Sequence, residues 1–405
     1  MAKIITDKNR INEILTRGVE SIYPNREFLE KVLSSGKRLR IYCGFDPSAP
    51  SLHIGNAIQM NKLAQFQALG HEIIFLVGDF TGMIGDPTDK TATRKKLTRK
   101  EVLVNAKNYK KQASAYLKFG LNGAKVMYNS KWQDKVSFKD LIELSSHFTV
   151  QQMLVRDMFQ ERLKAEKPIH LHEFLYPLAQ AYDSVAMDVD MEIGGNDQTF
   201  NMLAGRDLMK AVKGKEKFVL TTKLLVDPTG KKMGKSEGNI VNLDADPNDM
   251  YGRIMSWPDG VLPVALELCT DFSMEEIRKM QNELSKPETN PRDHKMKLAF
   301  EVTRINHGEK EALRAQEHFI KTVQKKEIPE QITNYKLQIT NIKLVDLLVE
   351  TKLAGSKGEA RRLIEQGGIK VNNEVVQDMN KEIEITKEGV LLQRGKRQFI
   401  KAVKA

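Results

Sequence analysis

The chain has 405 residues, 40% of them hydrophobic, which is enough apolar material for two or three buried cores. Its 64 Lys and Arg against 53 Asp and Glu leave a formal net charge of +11, which favours a polyanionic partner, nucleic acid before membrane. Two cysteines, Cys43 and Cys269, exclude a disulfide framework and show no paired metal spacing; residues 1–10 are too charged for a signal peptide, and no apolar run approaches a membrane span. A soluble, cytoplasmic protein is expected.

In chain order, residues 41–45 (Ile-Tyr-Cys-Gly-Phe) read as a short strand, the breaker-rich stretch 46–51 as a turn, and 52–69 as an amphipathic helix. His53-Ile54-Gly55-Asn56 lies where that helix starts. A helix N-terminus offers unpaired N–H groups and a positive dipole end, Gly55 permits close approach of a phosphate chain, and His53 and Asn56 supply side-chain donors on the first turn. Gly70 and the apolar run 72–77 complete a βαβ unit of a parallel sheet, so the loops 44–51 and 78–87, both at strand C-termini, should face one cleft. Lys90, Arg94, Lys95, Lys96, Arg99 and Lys100 follow with no acid among them.

Residues 148–164 show helical periodicity. Tyr176, Gln180 and Asp183 fall at i, i+4 and i+7 and share one helix face, with Pro177 tolerable near the first turn. Gly194-Gly195-Asn196-Asp197-Gln198 follows 191–193 and precedes another amphipathic stretch, a third strand-to-helix crossing over the same cleft. The loop 227–239 holds three glycines in nine residues and three lysines, a mobile cationic segment suited to closing over a polyphosphate. Beyond Val241, stretches such as 274–284 and 295–304 read as helices, and the charged region around Pro329 as a linker. The last segment alternates loop, helix and strand through 344–348, 355–364 and 368–372. From 331 to 405 it carries 14 Lys and Arg against 9 Asp and Glu. Phosphate contact follows naturally from that density.

His53-Ile54-Gly55-Asn56 and Lys232-Met233-Gly234-Lys235-Ser236, in this order and separation, resemble the two signatures of class I aminoacyl-tRNA synthetases, whose second signature is usually Lys-Met-Ser-Lys-Ser. Tyr42-Cys43-Gly44-Phe45-Asp46-Pro47, Thr81-Gly82-Met83-Ile84-Gly85-Asp86-Pro87, Tyr176 through Asp183 and Gly194 through Gln198 extend the likeness to the bacterial tyrosyl-tRNA synthetase family over nearly the whole chain. The resemblance implies an α/β fold: a Rossmann-like parallel-sheet catalytic domain over 1–240, a helical anticodon-side domain over 241–328, a linker at 329–340 and a small α+β S4 RNA-binding domain over 341–405.

By the same resemblance, ATP would contact Gly44, Asp46, Ser48, His53, Gly55, Asn56, Gly195, Asp197, Lys232, Met233, Lys235 and Ser236, with Lys90 and Arg94 on a second mobile pyrophosphate loop. Tyr176, Gln180, Asp86 and Gln198 would surround the amino and carboxylate groups of tyrosine, and Asp183 with Tyr42 would receive its phenolic hydroxyl. Lys357, Arg361, Arg362, Lys370, Lys396 and Arg397 would meet tRNA(Tyr), and 148–164 would contribute to a homodimer. Catalysis would rest on His53, Asn56, Lys232 and Lys235 stabilising the departing pyrophosphate, with Mg2+ accompanying ATP and no permanently bound cofactor. Two positions depart from the family pattern: Asn56 replaces a histidine, and Gly234 replaces the first serine of the second signature. A tryptophanyl enzyme and a catalytically silent RNA-binding protein are the alternatives; Tyr42 with Asp183 argues against the first, and the intact lysines and carboxylates against the second.

Overall fold

The structure, a computed structural model, describes residues 3–88, 96–227, 229, 233, 240–324, 333–395 and 398–404. These divide into two compact units, one built from residues 1–245 and 257–306, the other from 246–256 and 307–405.

The first unit is organised by a six-stranded sheet of β1 (Val19–Tyr23), β2 (Arg40–Phe45), β3 (Glu72–Val77), β4 (Lys125–Tyr128), β5 (Met191–Gly195) and β6 (Phe218–Thr222). Their spatial order is β1-β6-β5-β2-β3-β4, parallel throughout except for β1. β2, β3 and β5 are buried almost end to end, as expected of parallel strands covered on both faces. The chain leaves β2 toward β3 and β4 on one side and runs from β5 to β6 on the other. Between β2 and β5 the winding direction therefore reverses, and the loops at their C-terminal ends splay apart to leave a crevice.

The expected helix at 52–69 is Ile54–Ala68, with His53 as its N-cap rather than on its first turn. The helix carrying Tyr176, Gln180 and Asp183 begins earlier than the sequence suggests, at Leu171, because Glu173 caps it by accepting from the His170 N–H at 2.9 Å. Pro177 therefore lies inside the helix and not in its first turn. The expected helix over 148–164 is broken into Val150–Leu154 and Asp157–Lys164, since Arg156 adopts an extended backbone at the junction.

The helical stretch expected as a separate domain over 241–328 is divided. Residues 257–306, with the helices Leu262–Cys269 and Met274–Leu284, belong to the first unit. Arg17 supplies the physical reason: its guanidinium donates to the carbonyls of Glu267 (3.0 Å), Phe272 (2.7 Å) and Thr270 (2.5 Å), while Glu267 accepts from the Gly18 N–H at 2.7 Å. The C-terminal carbonyls of a helix lack intrahelical partners, and one buried arginine satisfies several here.

In the second unit the helices Pro247–Met255 and Glu309–Phe319 meet through Tyr251 and Phe319, whose ring centroids are 5.5 Å apart. After the undescribed residues 325–332, Thr333–Leu337 is strand β7 where a linker was expected; it pairs in parallel with β13 (Gln398–Lys404) at the edge of a sheet. That sheet also holds β9 (Ile369–Val371), β10 (Glu374–Val375) and β12 (Val390–Arg394), while β8 (Asn341–Lys343) and β11 (Glu382–Glu384) form a separate ribbon. Leu344, Leu347, Leu348, Ala360, Ile364, Ile369, Leu392 and Ala402 make its apolar core. Among the described residues no helix is long and apolar enough to cross a membrane.

Replacing Arg17 with Met leaves the carbonyls of Glu267, Thr270 and Phe272 without this partner. Urea unfolding should show a loss of about 3 kcal/mol; a change within about 0.5 kcal/mol would remove Arg17 from this role.

Candidate active site

A cavity of about 610 Å³ opens at the C-terminal ends of β2, β3, β5 and β6, where the topology puts the crevice. Gly44, Asp46 and Ser48 enter it from the β2 loop, Gly78, Thr81, Asp86 and Thr88 from the β3 loop, and Gly194, Gly195, Asp197 and Gln198 from the β5 turn. His53, Gly55 and Asn56 line it from the start of the Ile54–Ala68 helix, and Tyr176, Gln180 and Asp183 from the Leu171–Met187 helix. Met233 reaches it as well. The strand-end loops and the two helices thus bring most of the sequence-predicted residues to one wall.

Others fall elsewhere. Lys90, Arg94, Lys232, Lys235, Ser236, Lys396 and Arg397 lie outside the described residues. Tyr42 is fully buried and stands behind the wall, in the core beneath the Leu171–Met187 helix, with its hydroxyl 2.9 Å from Ser184 Oγ. Of the expected pair around a phenolic hydroxyl, Asp183 lines the cavity and Tyr42 does not. In the second unit Lys357, Arg361 and Arg362 are exposed on the Lys357–Glu365 helix and Lys370 is half-buried on β9. Lys357 also pairs with Asp346 at 2.7 Å.

The start of the Ile54–Ala68 helix is more heavily committed than its sequence suggests. Ile54 N–H donates to the Val241 carbonyl at 3.0 Å, and Asn56 Oδ1 accepts from the His53 N–H at 3.0 Å. Asn56 is thereby oriented by its oxygen, and its amide NH2 is the group left to donate.

Asp46, Asp86, Asp183 and Glu192, all lining the cavity, accept from side-chain donors. Asp46 accepts from Tyr176 Oη at 2.8 Å and Thr81 Oγ1 at 2.7 Å. That cluster depends on Gly78, because a Cβ there would stand 2.0 Å from Asp46 Oδ1 and 2.4 Å from Thr81 Oγ1. Asp86 accepts from Gln198 Nε2 at 2.7 Å and from its neighbour Thr88 through both N–H and Oγ1. Thr88 Oγ1 in turn accepts from Arg156 at 2.7 Å.

Asp183 is deeply withdrawn, 2% exposed. Its Oδ1 accepts from Trp132 Nε1 and Gln133 Nε2, both at 2.7 Å, and its Oδ2 from Asn129 Nδ2 at 3.2 Å. Burial pushes its carboxyl up to about 7, against the pull of the Gln133, Trp132 and Asn129 bonds, with Glu192 adding repulsion. Tyr176 is also raised well above the usual phenol range by burial and by Asp46, so it stays neutral and donates. The sequence reading missed Asn129, Trp132 and Gln133. They lie around the short helix Ser130–Gln133, a segment with no motif; only the third-strand position of Lys125–Tyr128 places them at the same end of the sheet.

Two more residues escaped notice although their signal was present. Glu192 is a carboxylate inside the apolar strand β5, and Lys217 a cation immediately before the apolar strand β6. Glu192 lines the cavity and accepts from Gln180 Nε2 at 3.0 Å. Opposite charges in adjacent buried strands are a recognisable pattern once the strands are known to be neighbours.

A family model described as tRNA synthetases class I (W and Y) matches residues 34–324, and one described as Tyrosine--tRNA ligase SYY-like C-terminal domain matches residues 324–402. A Tyrosine--tRNA ligase of Thermotoga maritima is 44% identical over 389 residues, 96% of either chain. The chain belongs to the class I tyrosyl-tRNA synthetase family. It is an aminoacyl-tRNA ligase of that class. A relative of the same name from Aquifex aeolicus is 44% identical over 391 residues, 96% of this chain and 97% of that one. Among solved structures, a C-terminally truncated mitochondrial tyrosyl-tRNA synthetase of Coccidioides posadasii superimposes with a TM-score of 0.62 at 26% identity, over 76% of this chain and 91% of that one. The tyrosyl-tRNA synthetase of Archaeoglobus fulgidus, solved with L-tyrosine, gives 0.59 at 20% identity over 76% of this chain and 100% of that one, and shows the fold alone.

Trp132→Phe removes a bond that favours the ionised form of Asp183, so the carboxyl should titrate higher. The acid limb of kcat/KM for the amino acid, followed by pyrophosphate exchange between pH 5.5 and 9, should move up by about one pH unit. An unmoved limb would detach Trp132 from the titration of Asp183.

Proposed function

We propose that the cavity activates L-tyrosine with ATP and then passes the tyrosyl group to the 3′ end of tRNA(Tyr). The observation that carries the reading is the seat at Asp183. A buried carboxylate that takes two of its three N–H donors on Oδ1 and one on Oδ2 has acceptor capacity left on Oδ2, and a phenolic hydroxyl fills it. Phenylalanine would remove that partner and keep the desolvation cost, whereas tyrosine keeps both sides matched. Tyrosyl-tRNA synthetases are themselves the standard case of such discrimination without editing, and only the mechanism is carried over here. Tyr42, one layer behind and bonded to Ser184, backs this seat.

Asp86, Tyr176 and Gln180 are proposed to hold the α-ammonium, for which a fixed carboxylate and two polar groups on one cavity wall are suited. Gln198 then lies near the substrate carboxylate, and Gly44, Asp46, Ser48, Gly195, Asp197 and Met233 receive the adenosine and phosphates. The tyrosine carboxylate attacks the α-phosphorus and pyrophosphate leaves. No protein nucleophile is required; positioning and stabilisation of the growing negative charge carry the rate. His53 and Asn56 serve that charge from the helix start, and Lys232 and Lys235, with Lys90 and Arg94, are proposed to close over it. In the second step a hydroxyl of the terminal ribose of tRNA attacks the adenylate carbonyl and AMP departs.

ATP is proposed to enter as its Mg2+ complex; among the described residues no group of three His, Cys, Asp or Glu is placed to hold a metal ion. Residues 341–405, an S4-like RNA-binding module in this reading, offer Lys357, Arg361, Arg362 and Lys370 to phosphate, a sequence-independent attraction. A homodimer is proposed through the region of Phe138, Val150, Val155 and Leu171, which are 78%, 65%, 67% and 77% exposed. The protein would act in the cytoplasm.

Pyrophosphate exchange into ATP, without tRNA, should occur with tyrosine and not with phenylalanine or tryptophan. Asn56→Ala should slow it by about 10²-fold or more with little change in tyrosine affinity. Exchange driven equally by phenylalanine would sink the reading of the seat, and weaker tyrosine binding at unchanged turnover would sink that of Asn56.

A further inference from the structure

Lys217 is fully buried directly below the cavity yet does not line it. Its ammonium has three N–H donors and three acceptors: Glu192, the Ser184 hydroxyl at 2.8 Å and the Met202 carbonyl at 3.2 Å. Each partner belongs to a different part of the site. Glu192 sits on β5 and its other oxygen accepts from Gln180. Ser184 follows Asp183 on the Leu171–Met187 helix and shares a hydrogen bond with Tyr42 of β2. Met202 is on the Thr199–Lys213 helix. The Tyr42 ring centroid lies 5.7 Å from the same ammonium.

The helix across from Lys217 is shaped to accommodate it. At Gly205 a Cβ would stand 2.5 Å from the ammonium nitrogen and 3.0 Å from Ser184 Oγ, so any larger residue displaces the cation or the hydroxyl. An apolar pair of similar volume would stabilise a core about as well as a buried ion pair does. What such a pair could not do is present one carboxylate oxygen to Gln180 while holding Ser184 beside Asp183.

We propose that Lys217 is a positioning residue for amino-acid selection: through Glu192 and Ser184 it fixes Gln180 and the turn bearing Asp183 against the cavity. The proposal rests on the reading of that cavity as the tyrosine site. Lys217 touches no substrate; it sets where the ammonium-facing and hydroxyl-facing groups stand relative to each other. None of its three partners, Glu192, Ser184 and Met202, is among the residues proposed to receive the adenosine and phosphates of ATP.

The test is pyrophosphate exchange with the full-length protein carrying K217M, K217M with E192Q, or G205A. K217M leaves Glu192 as an unpaired buried carboxylate beside Gln180 and Asp183, and should raise KM for tyrosine about tenfold or more while KM for ATP stays within about twofold. Adding E192Q removes the stranded charge and should recover most of that loss. G205A introduces no charge change, should raise the tyrosine KM in the same direction, and decides the matter if K217M does not fold. An unchanged tyrosine KM in folded K217M or G205A would overturn the proposal. So would equal increases for tyrosine and ATP, or a double variant as impaired as the single one. If the unsubstituted protein shows no tyrosine-dependent exchange, it is the reading of the cavity that fails, and failure is then visible before any variant is made.

Discussion

A carboxylate taken out of water is tolerated only when something replaces the water, and for Asp183 that replacement is three side-chain N–H groups from Asn129, Trp132 and Gln133. Much of the first unit is arranged around this requirement. The Ser130–Gln133 helix must follow β4 at the correct end of the sheet, and the Leu171–Met187 helix must turn the face of Tyr176, Gln180 and Asp183 toward β2 and β5. Even with the three bonds, burial keeps the carboxyl near neutrality. In the proposed reading a hydroxyl donor arriving from the cavity completes the set.

The electrostatics of the cavity are opposite to those of the chain. The protein as a whole carries +11, whereas the cavity is lined, among the described residues, by five acids, Asp46, Asp86, Asp183, Glu192 and Asp197, and by the single lysine Lys223. In the proposed reading an amino acid brings an ammonium and a phenol to this acidic bowl, to be matched by Asp86 and Asp183. A polyphosphate would be repelled unless cations close over it, which is the service proposed for the lysines of the 227–239 loop and the tract at 90–100. The proposed reading thus gives the amino acid the acids Asp86 and Asp183 and gives the polyphosphate the basic loops, with Asp46 and Asp197 on the ATP side.

What the sequence made legible follows from local chemistry. β2, β3 and the Ile54–Ala68 helix were readable because apolar runs, a breaker-rich turn and Gly70 each carry their own signal. The convergence of the β2, β3 and β5 loops could be argued because parallel strands put their C-termini on one side. Contacts distant in sequence were not readable in that way. Arg17 draws 257–306 into the first unit across about 250 residues, and no periodicity announces it. Thr333–Leu337 looks like a linker because an edge strand needs only one neighbour, here β13 at the far end of the chain. Tyr42 was correctly placed on β2, but which hydroxyl it would meet depended on Ser184, a residue with no signature. Glu192 in one apolar strand and Lys217 just before another were visible as charges and went unused because the pairing of β5 with β6 was unknown.

The central claim is that a desolvated acid demands a hydroxyl from its ligand. Equilibrium binding of L-tyrosine and L-phenylalanine to the purified protein, by calorimetry without ATP or tRNA, tests it most directly. Tyrosine should bind and phenylalanine should be weaker by about 10²-fold or more. Affinities for the two within about threefold of each other would contradict the account, because Asp183 would then be satisfied without the ligand.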